Sequence, residues 1–337
     1  MVATKLPNFF IVGAPKAGTT SLYAYLDQHP QIYMSPLKET HYFCSEVRPE
    51  NFKDEDRPRL YQDLSALQEY LQGAMREKRF GGLVSSWDDY VALFRNASDE
   101  IAIGEATPLY LWSESAPRNI AARFPHARII INLRNPIDRA YSNYLHMVTA
   151  GAIHRSFREQ IDASLLCKNK QFGDEWPFLE FGHYHGQLMR YFREFPRSQI
   201  HISFYDDLVR TPAKMLSDLY AFLGVDREFS AEMSIRHNAP RIMRLAATAR
   251  LLKRWQVWST LRSLAPKRLR ARIGSLLVRS HDSLVMTPAD RAFLSDYYRD
   301  EIGKLGVLLN RDLRSWLDPA VSMVQNVQCG RGAASRL

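Results

Sequence analysis

Three small groups of residues carry the candidate chemistry of this 337-residue chain. The first is Gly13-Ala14-Pro15-Lys16-Ala17-Gly18-Thr19-Thr20, which follows the apolar run Phe9-Phe10-Ile11-Val12. Two glycines mark a turn, and Leu22, Tyr25 and Leu26 then recur at helical spacing before Pro30, which predicts strand, loop and helix. Such a loop turns several backbone N–H groups and the positive end of a helix dipole toward one point, so an anion can settle there with little reorganisation. The second group is Lys38-Glu39-Thr40-His41, where a carboxylate flanked by a lysine and a histidine is equipped to take a proton. The third is Arg134, closing the apolar run Ala127–Leu133, with Ser142 on the helix that Pro136 starts; a planar guanidinium and a hydroxyl both suit a phosphate.

For these groups to meet, something must bring distant loops to one edge. The runs Phe9–Val12, Gln31–Met34, Glu100–Gly104, Ala127–Leu133 and Gln199–Tyr205 read as five strands with helices between them, the pattern of a doubly wound α/β fold. In a parallel sheet the loops that follow the strands gather at the carboxyl edge. There Lys16, Glu39, the turn Glu105-Ala106-Thr107-Pro108 and Arg134 would sit together. We therefore expect a P-loop-type three-layer fold with a central, mostly parallel five-stranded sheet flanked by helices. One domain is expected over 1–319, with insertions at about 44–98 and 151–180, a basic helical segment at 241–280 and a tail at 320–337. Residues 44–99 read as polar and irregular apart from a helix over Tyr61–Met75, and 151–180 as an aromatic loop. Thr287-Pro288-Ala289-Asp290 reads as the capped start of one helix running through Leu305 and packing on the sheet.

The spacing Gly13-x-x-x-x-Gly18 matches the first part of a Walker A loop, but Thr19 stands where nucleoside triphosphatases carry lysine. The wording Pro15-Lys16-x-Gly18-Thr19-Thr20-Ser21-Leu22 instead resembles the 5′-phosphosulfate loop of sulfotransferases that use 3′-phosphoadenosine 5′-phosphosulfate (PAPS). Lys38-Glu39-x-His41-x-Phe43 resembles the segment that carries the catalytic base in heparan-sulfate-type and bacterial carbohydrate sulfotransferases. Leu133-Arg134-Asn135-Pro136-x-x-Arg139-Ala140-Tyr141-Ser142-x-Tyr144 is similar to the 3′-phosphate motif of the same family. The resemblance implies Glu39 as base with His41 as its helper, and Lys16 stabilising the leaving phosphate together with the backbone of Ala17, Gly18, Thr19 and Thr20 and the two threonine hydroxyls. It also implies that Arg134 and Ser142 grip the 3′-phosphate. The implied cofactor is PAPS as co-substrate with no metal required, and the implied acceptor a carbohydrate or glycolipid hydroxyl or amine. Animal heparan sulfotransferases tend to place lysine before the Ser/Thr of the turn after the third strand, whereas this chain has Ala106 there. The loop at 236–241 loosely matches the family's late nucleotide-closing loop. A P-loop kinase, or a non-catalytic protein binding nucleotides or membrane surfaces, accounts for less of the sequence.

Composition sets the frame for partners. Of 45 Lys and Arg residues, eleven lie in 241–280, which holds no Asp or Glu; the remaining 34 nearly balance the 36 acidic residues. The net charge of +9 is thus a local feature, which argues against a nucleic-acid partner and for docking of 241–280 to an anionic membrane surface or acceptor. Cys44, Cys167 and Cys329 are far apart, odd in number and without metal-ligand spacing, so reduced thiols are expected. No signal-peptide pattern or long apolar window is read, and the expected location is the cytoplasm, with peripheral attachment at a membrane as the variant that 241–280 would add. The sequence sets no oligomeric state.

Overall fold

The computed structural model describes residues 5–51, 57–150, 152–153, 155–167, 177–233, 242–243, 278–279 and 286–318. Its centre is a five-stranded sheet of β1 (Phe9–Gly13), β2 (Ile32–Met34), β5 (Ala102–Ala106), β6 (Arg128–Leu133) and β7 (Ile200–Phe204), in the spatial order β2-β5-β1-β6-β7. Every pairing in it is parallel. Between β2 and β5, β3 (Leu37–Lys38) pairs in parallel with β4 (Arg79–Phe80).

The strand sequences show why both faces must be covered. Phe9 and Ile11 enter one core with Ile130, while Phe10 and Val12 enter the other with Ile129, Ile131 and Leu133. This two-residue alternation gives two apolar faces, and one run of hydrophobic residues serves both. The first face packs on α1 (Thr19–Leu26) and α9 (Pro212–Leu223), through Leu22, Leu26, Leu219 and Leu223. The second packs on α4 (Ala116–Arg123), α5 (Pro136–Ala150) and α7 (Tyr184–Glu194), through Ile120, Ile137 and Leu188. The expected three-layer α/β architecture is what forms. The chain leaves β1 for β2 and β5 on one side, then crosses to β6 and β7 on the other. The crevice beside β1 is therefore the topological switch point at which such sheets bind ligands.

Several expectations change. The third sheet strand runs from Ala102 to Ala106 rather than 100–104, because Gly104 pairs with Phe9 and Ala106 with Ile11. Glu105 is thereby a buried strand residue and not part of the turn. Within 44–98, α2 (Arg57–Gln72) and α3 (Trp87–Ala92) contribute Leu67, Leu71, Tyr90, Leu93 and Phe94 to the core, so this stretch is less irregular than its polarity suggests. Within 151–180, Phe157–Leu166 forms α6, whose Ser156 cap and Glu159 complete a reciprocal capping box. The helix read as continuous from Thr287 is two, α10 (Pro288–Tyr297) and α11 (Arg299–Leu309), broken at Tyr298. They lie chiefly against α5 and α7, and their Leu294, Tyr298, Ile302 and Leu305 join the core on that side of the sheet. Thr287 does cap α10, accepting the Asp290 N–H at 3.1 Å. Between β7 and α9, α8 (Tyr205–Arg210) starts directly at the strand end. The proposed closing loop 236–241, the tail 320–337 and, apart from the short pair β8 (Ile242–Met243) and β9 (Val278–Arg279), the basic segment 241–280 lie outside the described residues.

One close approach locks the sheet. A Cβ at Gly104 would lie 2.2 Å from the ring of Phe9, its cross-strand partner, which has no exposed surface. Gly104→Ala should therefore lower unfolding stability by about 1–3 kcal/mol, read as a reduced midpoint in urea with unchanged slope.

Candidate active site

The loop after β1 is tied to the strands beneath it. Ala14 N–H donates to Asn132 O at 2.7 Å, the Asn132 side-chain amide donates to Ala17 O, and Ser203 Oγ donates to Asn132 Oδ1 at 3.0 Å. β6 and β7 thus hold the loop from below. Gly18 closes it in a left-handed conformation, φ +84°, and a Cβ there would meet Leu208 of α8 at 2.7 Å. Gly18 is also the N-cap of α1, with no side chain capping the first turn. The opening N–H groups of that helix, on Thr19 and Thr20, have no intrahelical partner and face the site expected for an anion. Thr19 is buried and Thr20 half-buried.

Lys16, at φ +66°, lies within this loop, and Arg134 at the end of β6 reaches it, donating Nη1–H to Lys16 O at 3.0 Å. The guanidinium lies over the Tyr205 ring, 4.5 Å from its centre, and Tyr184 Oη donates to Arg134 O at 2.9 Å, so the arginine is held from two sides. Burial, and after it the Arg134 charge, bring the Lys16 ammonium down to about 8. Ser142 lies two turns along α5 from Arg134 and is half-buried.

On the other side, Glu39 follows β3. Burial alone would push its carboxyl up, but Lys38, His41 and Lys16 outweigh that and hold it below the usual carboxylate range. The Lys38 ammonium, 1% exposed, donates to Glu39 Oε1 at 3.0 Å. His41 donates Nδ1–H to Gly82 O at 2.8 Å, which turns Nε2 toward Glu39 Oε2 at 3.8 Å. Burial lowers the His41 imidazole despite the neighbouring carboxylate. Glu39 keeps 36% of its side chain exposed, so it is charged and reachable.

Five non-glycine residues have positive φ among the described residues, and three of them are Lys16, Glu39 and His41. Each such conformation costs about 1–3 kcal/mol, and strain of this kind collects where function requires it. The structure therefore brings Lys16, Ala17, Gly18, Thr19, Thr20, Arg134, Glu39 and His41 to one edge, with Ser142 on the adjoining helix. Sequence reasoning missed His146, one turn beyond Ser142 on the same face of α5. Burial lowers its imidazole, and so does the Lys16 charge, while Glu39 opposes them, so it shares their electrostatic field. The i, i+4 spacing from Ser142 was the available signal. Asn132 and Tyr205 were also missed, and nothing local marks them. Among the described residues, no group of three or more His, Cys, Asp or Glu is placed to hold a metal ion.

A βα loop ending in an uncapped helix start, an arginine at the adjacent strand end and a partly exposed carboxylate across the crevice thus form one site. The model of the Sulfotransferase family matches residues 7–229, and the chain belongs to that family. It is 26% identical over 327 residues to the human bifunctional heparan sulfate N-deacetylase/N-sulfotransferase 3, covering 95% of this chain and 32% of that protein. It is 30% identical over 182 residues to human carbohydrate sulfotransferase 15, covering 48% of this chain and 30% of that protein. The chain thus spans about a third of the curated relatives it matches. Among solved structures, a sulfotransferase from Alicyclobacillus acidocaldarius superposes with a TM-score of 0.68 at 29% identity, covering 93% of this chain and all of that one.

The crowding of two cations is directly measurable. In the protein without ligand, the Lys16 ammonium should titrate near 8 by NMR of labelled lysine side chains. In Arg134→Gln it should titrate higher, because a neighbouring positive charge is gone; an unshifted titration would mean that the two cations do not interact.

Proposed function

We propose that this protein transfers a sulfuryl group from PAPS to a hydroxyl or amine of a carbohydrate acceptor. The observation that carries the reading is the Lys16–Arg134 pair on an uncapped helix start, facing Glu39 across the crevice. A donor with phosphate at both the 3′ and 5′ positions of an adenosine relieves the repulsion at each cation. Walker-type kinase chemistry has less support, since Thr19 replaces the lysine that would reach the β- and γ-phosphates. The carbohydrate class is supported by the names of the relatives, one acting on heparan sulfate and one called a carbohydrate sulfotransferase. Ala106 stands where animal heparan sulfotransferases tend to place a lysine, which leaves room for a less anionic sugar.

In the proposed step the acceptor oxygen or nitrogen attacks sulfur in line, a new bond to sulfur forms and the bond from sulfur to the 5′-phosphate oxygen breaks. Glu39 takes the acceptor's proton; it is ionised for that task because Lys38 and Lys16 hold it so. Lys16 and the N–H groups of residues 17–20 meet the charge that grows on the departing phosphate. Arg134 and Ser142 fix the 3′-phosphate at the other end.

Glu39→Gln should retain binding of adenosine 3′,5′-bisphosphate and lose turnover by about 10²–10⁴, measured with sulfur-labelled PAPS and a panel of oligosaccharides. Turnover equal to that of the parent protein would remove Glu39 from the reaction. Arg134→Ala should weaken adenosine 3′,5′-bisphosphate much more than AMP in competition binding; equal losses for the two would contradict the 3′-phosphate assignment.

A further inference from the structure

Glu105 is a buried carboxyl group with no evident use in the reaction. It lies wholly inside the protein in β5, and among the described residues no Lys, Arg or His pairs with it. Its neighbours are hydroxyls. Thr40 Oγ donates to Oε2 at 2.6 Å, Thr107 Oγ approaches the same oxygen at 3.4 Å, and Tyr90 Oη donates to Oε1 at 3.3 Å. Burial pushes its carboxyl up to about 7, against the pull of these donors. A core position could be filled by an apolar residue at less cost, so the carboxylate needs a reason.

The reason lies in the direction it imposes. In its ionised form, which a group titrating near 7 takes on as the pH rises through that value, the carboxylate only accepts, so the Thr40 hydroxyl then points its hydrogen at Glu105. Its lone pairs are then left for Tyr110 Oη at 2.9 Å and, more distantly, the Tyr42 N–H at 3.4 Å. Tyr110 Oη in turn accepts the Phe43 N–H at 3.2 Å. The result is a one-way chain from Phe43 through Tyr110 and Thr40 to Glu105. The Thr40 N–H adds a bond to Thr107 Oγ at 3.0 Å, and the Glu39 N–H one to Ala106 O at 2.9 Å. Thr40 is the single residue between Glu39 and His41, which both have left-handed backbones.

We propose that Glu105, acting through Thr40 and Tyr110, is the positioning residue that holds the Glu39–His41 loop in its strained, reaction-ready conformation. The proposal rests on the reading of Glu39 as the base. Glu105 itself touches neither donor nor acceptor.

The test compares Thr40→Val, which removes the hydroxyl at similar volume, with Thr40→Ser, which keeps it, in the full chain. Thr40→Val should lower kcat at least tenfold with KM for PAPS within about twofold, and Thr40→Ser should restore kcat to within about threefold. The acid limb of the kcat/KM profile should also move up in pH in Thr40→Val. Glu39 would no longer be held against Lys38, His41 and Lys16, which depress it now. A fold-only role would lower the melting temperature and leave kcat per folded molecule and the acid limb unmoved, which would overturn the proposal. If Thr40→Val fails to fold, Tyr110→Phe and Glu105→Gln carry the same comparison. Failure of the underlying reading looks different: Glu39→Gln would then keep full turnover, whereas an inactive Glu39→Gln beside a fully active Thr40→Val defeats only the positioning role.

Discussion

Two positive charges held side by side at the sheet edge, Lys16 in the loop after β1 and Arg134 at the end of β6, are the constraint from which the rest of this structure follows. Arg134 donates to the backbone of Lys16 itself, so the two cations cannot drift apart to relieve their repulsion. The protein maintains that arrangement with the Tyr205 ring behind the guanidinium, the Asn132 and Ser203 side chains beneath the loop, and two strands below them. Such an assembly is stabilised by a multiply charged anion, which offsets the repulsion that helps lower the Lys16 ammonium. Family membership and this electrostatic arrangement point the same way.

The opposite wall has the reverse problem. Glu39 must stay ionised inside a partly desolvated crevice, and it does so because Lys38, almost wholly buried, is spent on it. The acceptor's proton would pass to a carboxylate held low, while the leaving group is met by a lysine whose ammonium has itself been brought down. The carboxylate is thereby kept charged as a base, and the ammonium is made readier to give up its proton. This matters for a reaction in which negative charge moves from the acceptor side to the donor side.

Much of this was legible in the sequence, for identifiable reasons. The loop and Arg134 each follow an apolar run directly and Glu39 lies a few residues beyond one, and parallel sheets bring such positions to one edge whatever the details of packing. Phe9–Val12 and Ala127–Leu133 were readable as strands because their apolar residues serve two faces at once. Glu105 was not legible as a buried group: the strand's end is set by its pairing with β1, which local composition cannot show. His146 needed the phase of α5 relative to the sheet. The helix at Phe157–Leu166 was hidden by its polar, aromatic surroundings, although the Ser156-x-x-Glu159 capping box was present to be found. The break at Tyr298 has no proline or glycine to announce it; the Tyr298 ring is buried, with its hydroxyl donating to Leu179 O at 2.7 Å, a tertiary contact invisible in one dimension.

The central claim is that one crevice accepts an adenosine phosphorylated at both its 3′ and 5′ positions. Isothermal titration calorimetry of the folded protein with adenosine 3′,5′-bisphosphate and, separately, with Mg-ATP tests it most directly. The account predicts saturable one-to-one heat with the bisphosphate and far weaker binding of Mg-ATP. A clear isotherm with Mg-ATP and none with the bisphosphate would contradict it.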